Sequence, residues 1–157
     1  MRVAFCGVRG SRPAAGAEFA EVGGNTSCVA VAHDGAPPTL VLDAGTGLHR
    51  VTALLDGAPF RGSLLFGHLH WDHTHGLPFF AAGDHPDAVV RVLLPEQGCA
   101  AEHLLARVMA PPFFPITPRE LRGSWTFSAI DEGTSDVEGF QVTAREIPHK
   151  EIGRAHV

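Results

Sequence analysis

Ser63-Leu64-Leu65-Phe66-Gly67-His68-Leu69-His70-Trp71-Asp72-His73-Thr74-His75-Gly76 is the stretch that decides the fold. An apolar strand over Ser63–Gly67 runs into four metal-ligand side chains, His68, His70, Asp72 and His73. Few structural needs would concentrate so many polar groups at a strand end, and a metal centre explains them directly. Residues i and i+2 leave a strand on the same side, so His68 and His70 can converge on one ion. The chain then turns, and Asp72 and His73 can point back toward a second ion from the start of the next helix. Neutral imidazole and carboxylate suit Zn²⁺, with Mn²⁺ or Fe²⁺ as alternatives, better than Ca²⁺ or Mg²⁺. Two ions about 3.5–4 Å apart could share a hydroxide and clamp the attacking and leaving oxygens of a substrate. The competing reading is a His-rich surface loop.

Outward from this stretch, strands and helices alternate. Arg2–Gly7 reads as a strand, Val8–Gly24 as a Gly/Pro loop, Thr26–His33 as a second strand and Thr39–Asp43 as a short buried one. Helical spacing runs over Thr46–Leu55 through Leu48, Val51, Leu54 and Leu55. His73–Ala82 begins a short helix that Pro78 must limit. Val89–Leu94 is a strand, Gly98–Met109 a helix stopped by Pro111-Pro112, and Ser124–Ile130 and Phe140–Ile147 are later strands. Periodicity alone specifies mixed α and β.

Composition bounds the chemistry. The 157 residues are the size of one domain. A hydrophobic share of 45% and a charged share of 18% fit a globular chain, not a disordered one. The net charge of −5, with no basic block, argues against a large nucleic-acid footprint but leaves room for a small phosphate pocket. Cys6, Cys28 and Cys99 are widely spaced and read as buried, reduced thiols of a cytoplasmic protein; a Cys6–Cys28 bridge is the alternative. No segment approaches membrane-spanning length, and no membrane partner is expected.

The ligand string, with Gly7-Val8-Arg9-Gly10-Ser11-Arg12-Pro13, Gly23-Gly24-Asn25-Thr26-Ser27-Cys28, Leu42-Asp43-Ala44-Gly45-Thr46-Gly47 and Gly76-Leu77-Pro78-Phe79-Phe80, resembles the metallo-β-lactamase superfamily of metal-dependent hydrolases. Within it, the series is similar to the branch of ribonuclease Z and the phosphoribosyl cyclic phosphodiesterases, over residue 3 to about residue 149. Val22 departs from that pattern, where relatives often carry an aromatic residue. The resemblance implies an α/β fold, a four-layer αββα sandwich, of which this chain would be the N-terminal half to two-thirds. It also implies that His149, after the apolar strand ending at Ile147-Pro148, completes the first metal site with His68 and His70, leaving Asp72 and His73 to the second. Lys150 departs from the small residue or proline usual after that histidine.

Relatives continue further and supply a bridging Asp and a last His that have no counterpart here. Residues 1–151 are therefore expected to be the N-terminal part of one domain. Ile152-Gly153-Arg154-Ala155-His156-Val157 matches the translation of a common DNA-sequencing adapter in one frame. Residues 152–157 are accordingly read as a non-native tail, and His156 as no ligand. The chain as written is expected to be poorly soluble or inactive and to hold at most one metal tightly.

Other residues complete the expected site. Asp72 has two duties, ligand and acceptor that orients the nucleophile. The resemblance implies that Asp43 supports the ligand loop by hydrogen bonds; a helix N-cap or turn residue is the alternative. Asn25, Thr26 and Ser27 either reach the cleft or form a turn. Gly10-Ser11-Arg12 could touch a phosphate. His75 either faces the cleft or faces solvent. Trp71 is expected to pack beneath the ligand loop, with substrate binding as the alternative, and the phenylalanines of Pro111-Pro112-Phe113-Phe114-Pro115 to pack in a core or interface, with an apolar pocket wall as theirs. His33, His49, His85 and His103 read as surface residues.

Three functions fit these residues. The first is a phosphodiesterase with two divalent ions, foremost Zn²⁺, acting on a small cyclic or nucleotide-like phosphodiester. The second is a lactonase or other C–O or C–N hydrolase with the same site. The third is a non-catalytic metal-binding protein of a cofactor pathway. His70, rather than Glu, in the ligand string counts against the diiron oxygen-reducing relatives. A homodimer is compatible with all three.

Overall fold

A computed structural model describes residues 1–148 and the backbone of 155–156. Strands β1 (Arg2–Gly7), β2 (Cys28–Ala32), β3 (Leu40–Leu42), β4 (Arg61–Leu65), β5 (Val89–Pro95) and β6 (Ser124–Ile130) form one sheet in sequence order. The pairs from β1 to β3 are antiparallel, and those from β3 to β6 are parallel. The architecture is mixed α/β, as the sequence indicates.

Parallel neighbours need crossovers, and helices α1 (Leu48–Leu54), α2 (Trp71–Thr74) and α3 (Ala101–Ala106) lie in them. Strands laid down in sequence order, each joined by a right-handed crossover, put every connection on one face. The packing agrees: Leu48 and Val51 of α1, Leu77 after α2, and Ala101 and Leu105 of α3 share one core with Val41, Leu64, Phe66, Val90, Val92 and Leu94. The period-two alternation of the strands sends Leu40, Leu65 and Leu93 to the opposite face.

That opposite face is covered by a hairpin, β7 (Gly133–Val137) and β8 (Phe140–Ala144). Its two-residue turn, Glu138-Gly139, has positive φ at both positions (55° and 78°), the conformation that matches the strand twist in tight hairpins. Ser63 Oγ donates to Glu138 Oε1 at 2.6 Å, and Arg91 Nε donates to Ser63 Oγ at 2.9 Å. His33 stacks on Phe140 and engages the Glu138 carbonyl, so it ties the hairpin to the sheet rather than merely decorating the surface. A short pair, β9 (Glu146–Ile147) with β10 (Ala155–His156), completes the described structure.

The sequence reading needs several corrections. β7 was not expected, because Thr134, Ser135 and Asp136 show no apolar alternation and only Val137 is buried. The strand expected over Phe140–Ile147 breaks at Arg145. The helix expected over His73–Ala82 starts earlier, at Trp71, and stops at Thr74; a 3₁₀ turn over Leu77–Phe79 follows, with Pro78 in its first positions, where no N–H is needed. The Gly98–Met109 helix shortens to Ala101–Ala106. Leu54 is exposed, since Leu48, Val51 and Leu55 already form the buried stripe. Cys6 and Cys28 are buried and unbridged, whereas Cys99 is exposed.

Candidate functional site

Two parallel strands deliver the site from their carboxyl ends, where side chains of successive crossover loops meet. Asp43 directly follows β3, and the chain leaves β4 through Phe66 and Gly67 to His68. Asp43 is the hub. Its carboxylate accepts from Ser27 Oγ at 2.7 Å, from the Gly67 N–H at 2.8 Å and from His73 Nδ1 at 2.7 Å. Charge-assisted bonds of this kind are stronger than neutral ones. Asp43 therefore supports the ligand loop, and its N-cap alternative fails: α1 starts after Gly47, with no side-chain cap.

Backbone bonds draw the same loops together. Ala44 N–H donates to the His73 carbonyl and Gly76 N–H to the Ala44 carbonyl, each at 2.8 Å. Gly45 has to be glycine, because a Cβ there would overlap the Asp72 carbonyl and the Thr26 hydroxyl. Asp43 itself sits at φ 61° and Ser11 at φ 64°, left-handed conformations that cost an L-residue about 1–2 kcal/mol. Such strain concentrates where surrounding bonds over-determine the backbone.

The expected ligands are neighbours in space. The His68 ring lies 4.4 Å from that of His70 and 4.0 Å from that of His73, centroid to centroid. His68 is buried and His70 exposed, so the cluster spans from interior to solvent. Asp72 Oδ2 accepts the Ser11 N–H at 2.7 Å and lies 3.4 Å from His73 Nε2. A carboxylate only accepts, so His73 Nδ1 carries the proton toward Asp43, which leaves Nε2 facing Asp72. Two donors each about 2.05 Å from one tetrahedral Zn²⁺ stand about 3.4 Å apart, which matches the Nε2–Oδ2 separation. Among the described residues, however, no group of three or more His, Cys, Asp or Glu side chains is arranged to hold one ion. His149, the expected partner of His68 and His70, lies outside the described residues.

Charge follows the geometry. Burial alone would lower the His73 pKa, but the Asp43 hydrogen bond and the charges of Asp43 and Asp72 outweigh it and hold it above the ordinary imidazole value. Burial likewise works against ionised Asp72, yet the Ser11 N–H and the His73 charge keep its pKa below the usual carboxylate value.

The remaining candidates divide. Asn25 buttresses: its carbonyl accepts from the Val8 and Arg9 N–H groups, and its side chain from Thr46 Oγ1. Thr26 and Thr46 exchange hydroxyl–amide bonds at 2.9 and 2.8 Å. Ser27 and the Ser11 amide partner Asp43 and Asp72, roles that the sequence signals only through the polar run Asn25-Thr26-Ser27 and the Gly10-Ser11-Arg12 loop, neither of which names a partner. His75 is exposed and stacks on Trp71, with ring centroids 5.3 Å apart. Trp71 does not pack beneath the loop: it is 65% exposed and stacks on the exposed His75 instead. Phe114 packs against the core as expected, whereas Phe113 is 79% exposed.

Two concavities border these residues. One, of about 680 Å³, runs along the hairpin-covered face; Leu42, Leu65 and Phe140 line it, with Asp43, His68 and His73 at one end. The other lies between α2 and the segment after α3. No protein-family model and no curated protein matches this chain. No helix among the described residues is long and apolar enough to cross a membrane.

Proposed function

We propose that this protein is a metal-dependent hydrolase whose substrate is a small phosphodiester. One observation carries the reading: His73, anchored on Asp43 through Nδ1, presents Nε2 beside Asp72 Oδ2, within a cluster that also holds His68 and His70. His68, His70, Asp72 and His73 would hold the metal, with His149 as the further ligand and a second ion completing the pair. Bound there, the metal would lower the pKa of a water toward neutrality and polarise a phosphoryl oxygen. Asp43 fixes the His73 tautomer, the Ser11 N–H holds Asp72, and Asp72 orients the attacking water. The one-sided sheet supports the four-layer αββα reading, with the hairpin standing where the second sheet would pack.

In a chain long enough to supply the bridging Asp and last His as well, the expected result is turnover of bis-p-nitrophenyl phosphate that chelator abolishes and Zn²⁺ or Mn²⁺ restores, with loss of metal in His68→Ala/His70→Ala. Unchanged metal content in that double variant would sink the proposal. A lactone substrate is the second reading, favoured by the apolar walls of the cavity that ends at His68 and His73. Lactone hydrolysis without diester cleavage would select it, and bound metal without turnover of either would point to a non-catalytic role.

A further inference from the structure

Beside the histidine cluster, the chain spends apolar surface where folding does not require it. Trp71, Phe113 and Val108 are exposed large apolar residues around one groove of about 320 Å³, and buried Leu77, Leu105 and Met109 form its floor. Grouped exposed aromatics of this kind mark binding surfaces, whereas scattered single ones need no explanation. His75 and Arg107 line the same groove, so its apolar walls carry a fixed cation and an imidazole. Trp71 lies between His70 and Asp72 in the chain, about 3.8 Å from each by Cα spacing. Trp71 and Thr74 bring the groove to the helix that carries Asp72 and His73. The neighbouring concavity continues past His75 and Phe113 to Phe79, Phe114 and His49, which leaves room for more than one ring.

We infer that this groove binds the planar aromatic part of an anionic phosphoester, a nucleobase or aryl group, stacked on Trp71 with its negative charge toward Arg107. The shape suits a flat ring: His75 stacks on one face of Trp71 at 23°, and the indole, 65% exposed, keeps surface free for a further ring. The cation selects against a neutral aromatic, and the apolar walls select against a bare sugar phosphate. The inference deepens the hydrolase reading and rests on it for the ester that is cleaved.

Binding is tested in chelator, so that metal and turnover play no part, with adenosine 5′-monophosphate, ribose 5-phosphate and adenosine as probes. Calorimetry should give the nucleotide about tenfold tighter binding than the sugar phosphate, with quenching of indole emission. Trp71→Ala should erase that preference, and Trp71→Phe should keep most of it. Arg107→Ala should weaken the nucleotide several-fold and leave adenosine unchanged. Equal binding of nucleotide and sugar phosphate, or a preference that survives Trp71→Ala, would overturn the inference. A self-association that Trp71→Ala and Phe113→Ala both abolish would also overturn it, by assigning the patch to a second copy of the chain. Loss of diester turnover with the nucleotide preference intact would remove the hydrolase reading and leave the groove a nucleotide site.

Discussion

Leu64 and Leu65 are adjacent in β4 and serve opposite faces of the sheet. Leu64 joins a core closed by α1, α3 and the turn after α2, together with Phe60, Phe66 and Phe80. Leu65 joins a smaller cluster beneath a hairpin and borders a cavity of about 680 Å³. One face is closed over fully buried side chains such as Phe60, Leu64 and Phe66, and the other borders an open concavity. The candidate site sits where the two meet, at the carboxyl ends of the strands. The closed face supplies rigidity behind Asp43 and the histidines, and the open face supplies access. A site built this way needs both: a scaffold that cannot relax, and a concave surface that folding leaves unfilled.

The largest effect should come from truncating the two leucines separately. Leu64→Ala should cost about 3–5 kcal/mol, because it opens a void that close-packed neighbours cannot fill. Leu65→Ala should cost about 1–2 kcal/mol, since its neighbours already lack contacts on the cavity side. Urea unfolding measures both, and equal losses would mean that the second face is as tightly covered as the first.

Next in size is the hub between the faces. Asp43→Asn keeps a side chain that tolerates φ 61° but removes the charge that holds His73, Ser27 and Gly67. Stability should fall by about 2 kcal/mol, and metal affinity by about 10- to 100-fold. Calorimetric metal titration that finds Asp43→Asn as tight as wild type would detach Asp43 from the site.

A smaller loss is expected where the hairpin meets the sheet. Ser63→Ala removes the hydroxyl that links Arg91 to Glu138, at a cost of about 1 kcal/mol. Denaturant midpoints check this, and a loss as large as that of Leu64→Ala would show the hairpin to be part of the main core.

The smallest effect is a pH dependence in metal-free protein. His73 has a folded pKa above its ordinary value, so its contribution is complete below that ordinary value and is lost as pH rises through the raised one. The melting temperature of wild type should therefore fall, relative to His73→Gln, as pH climbs through that window. Parallel profiles for the two proteins would contradict the Asp43–His73 pairing.

Some of this was legible from the chain alone. Arg2–Gly7 and Ser124–Ile130 are strands within the bounds the sequence gives them. The candidate run His68, His70, Asp72, His73 was also visible, because its residues are neighbours in sequence. These features depend on local periods of two and 3.6 residues, which a linear string displays.

Tertiary structure decided the rest. The grip of Asp43 reaches Gly67 and His73 across 24 and 30 positions, and Ser11 meets Asp72 across 61. No spacing rule encodes such partners; they form only when crossover loops are gathered at one end of a sheet. The same gathering turned Trp71 outward, left Phe113 exposed, and gave the polar strand Gly133–Val137 a partner in Phe140–Ala144. Local pattern chose the elements and the candidate ligands, while long-range hydrogen bonding and one-sided packing chose which side chains meet.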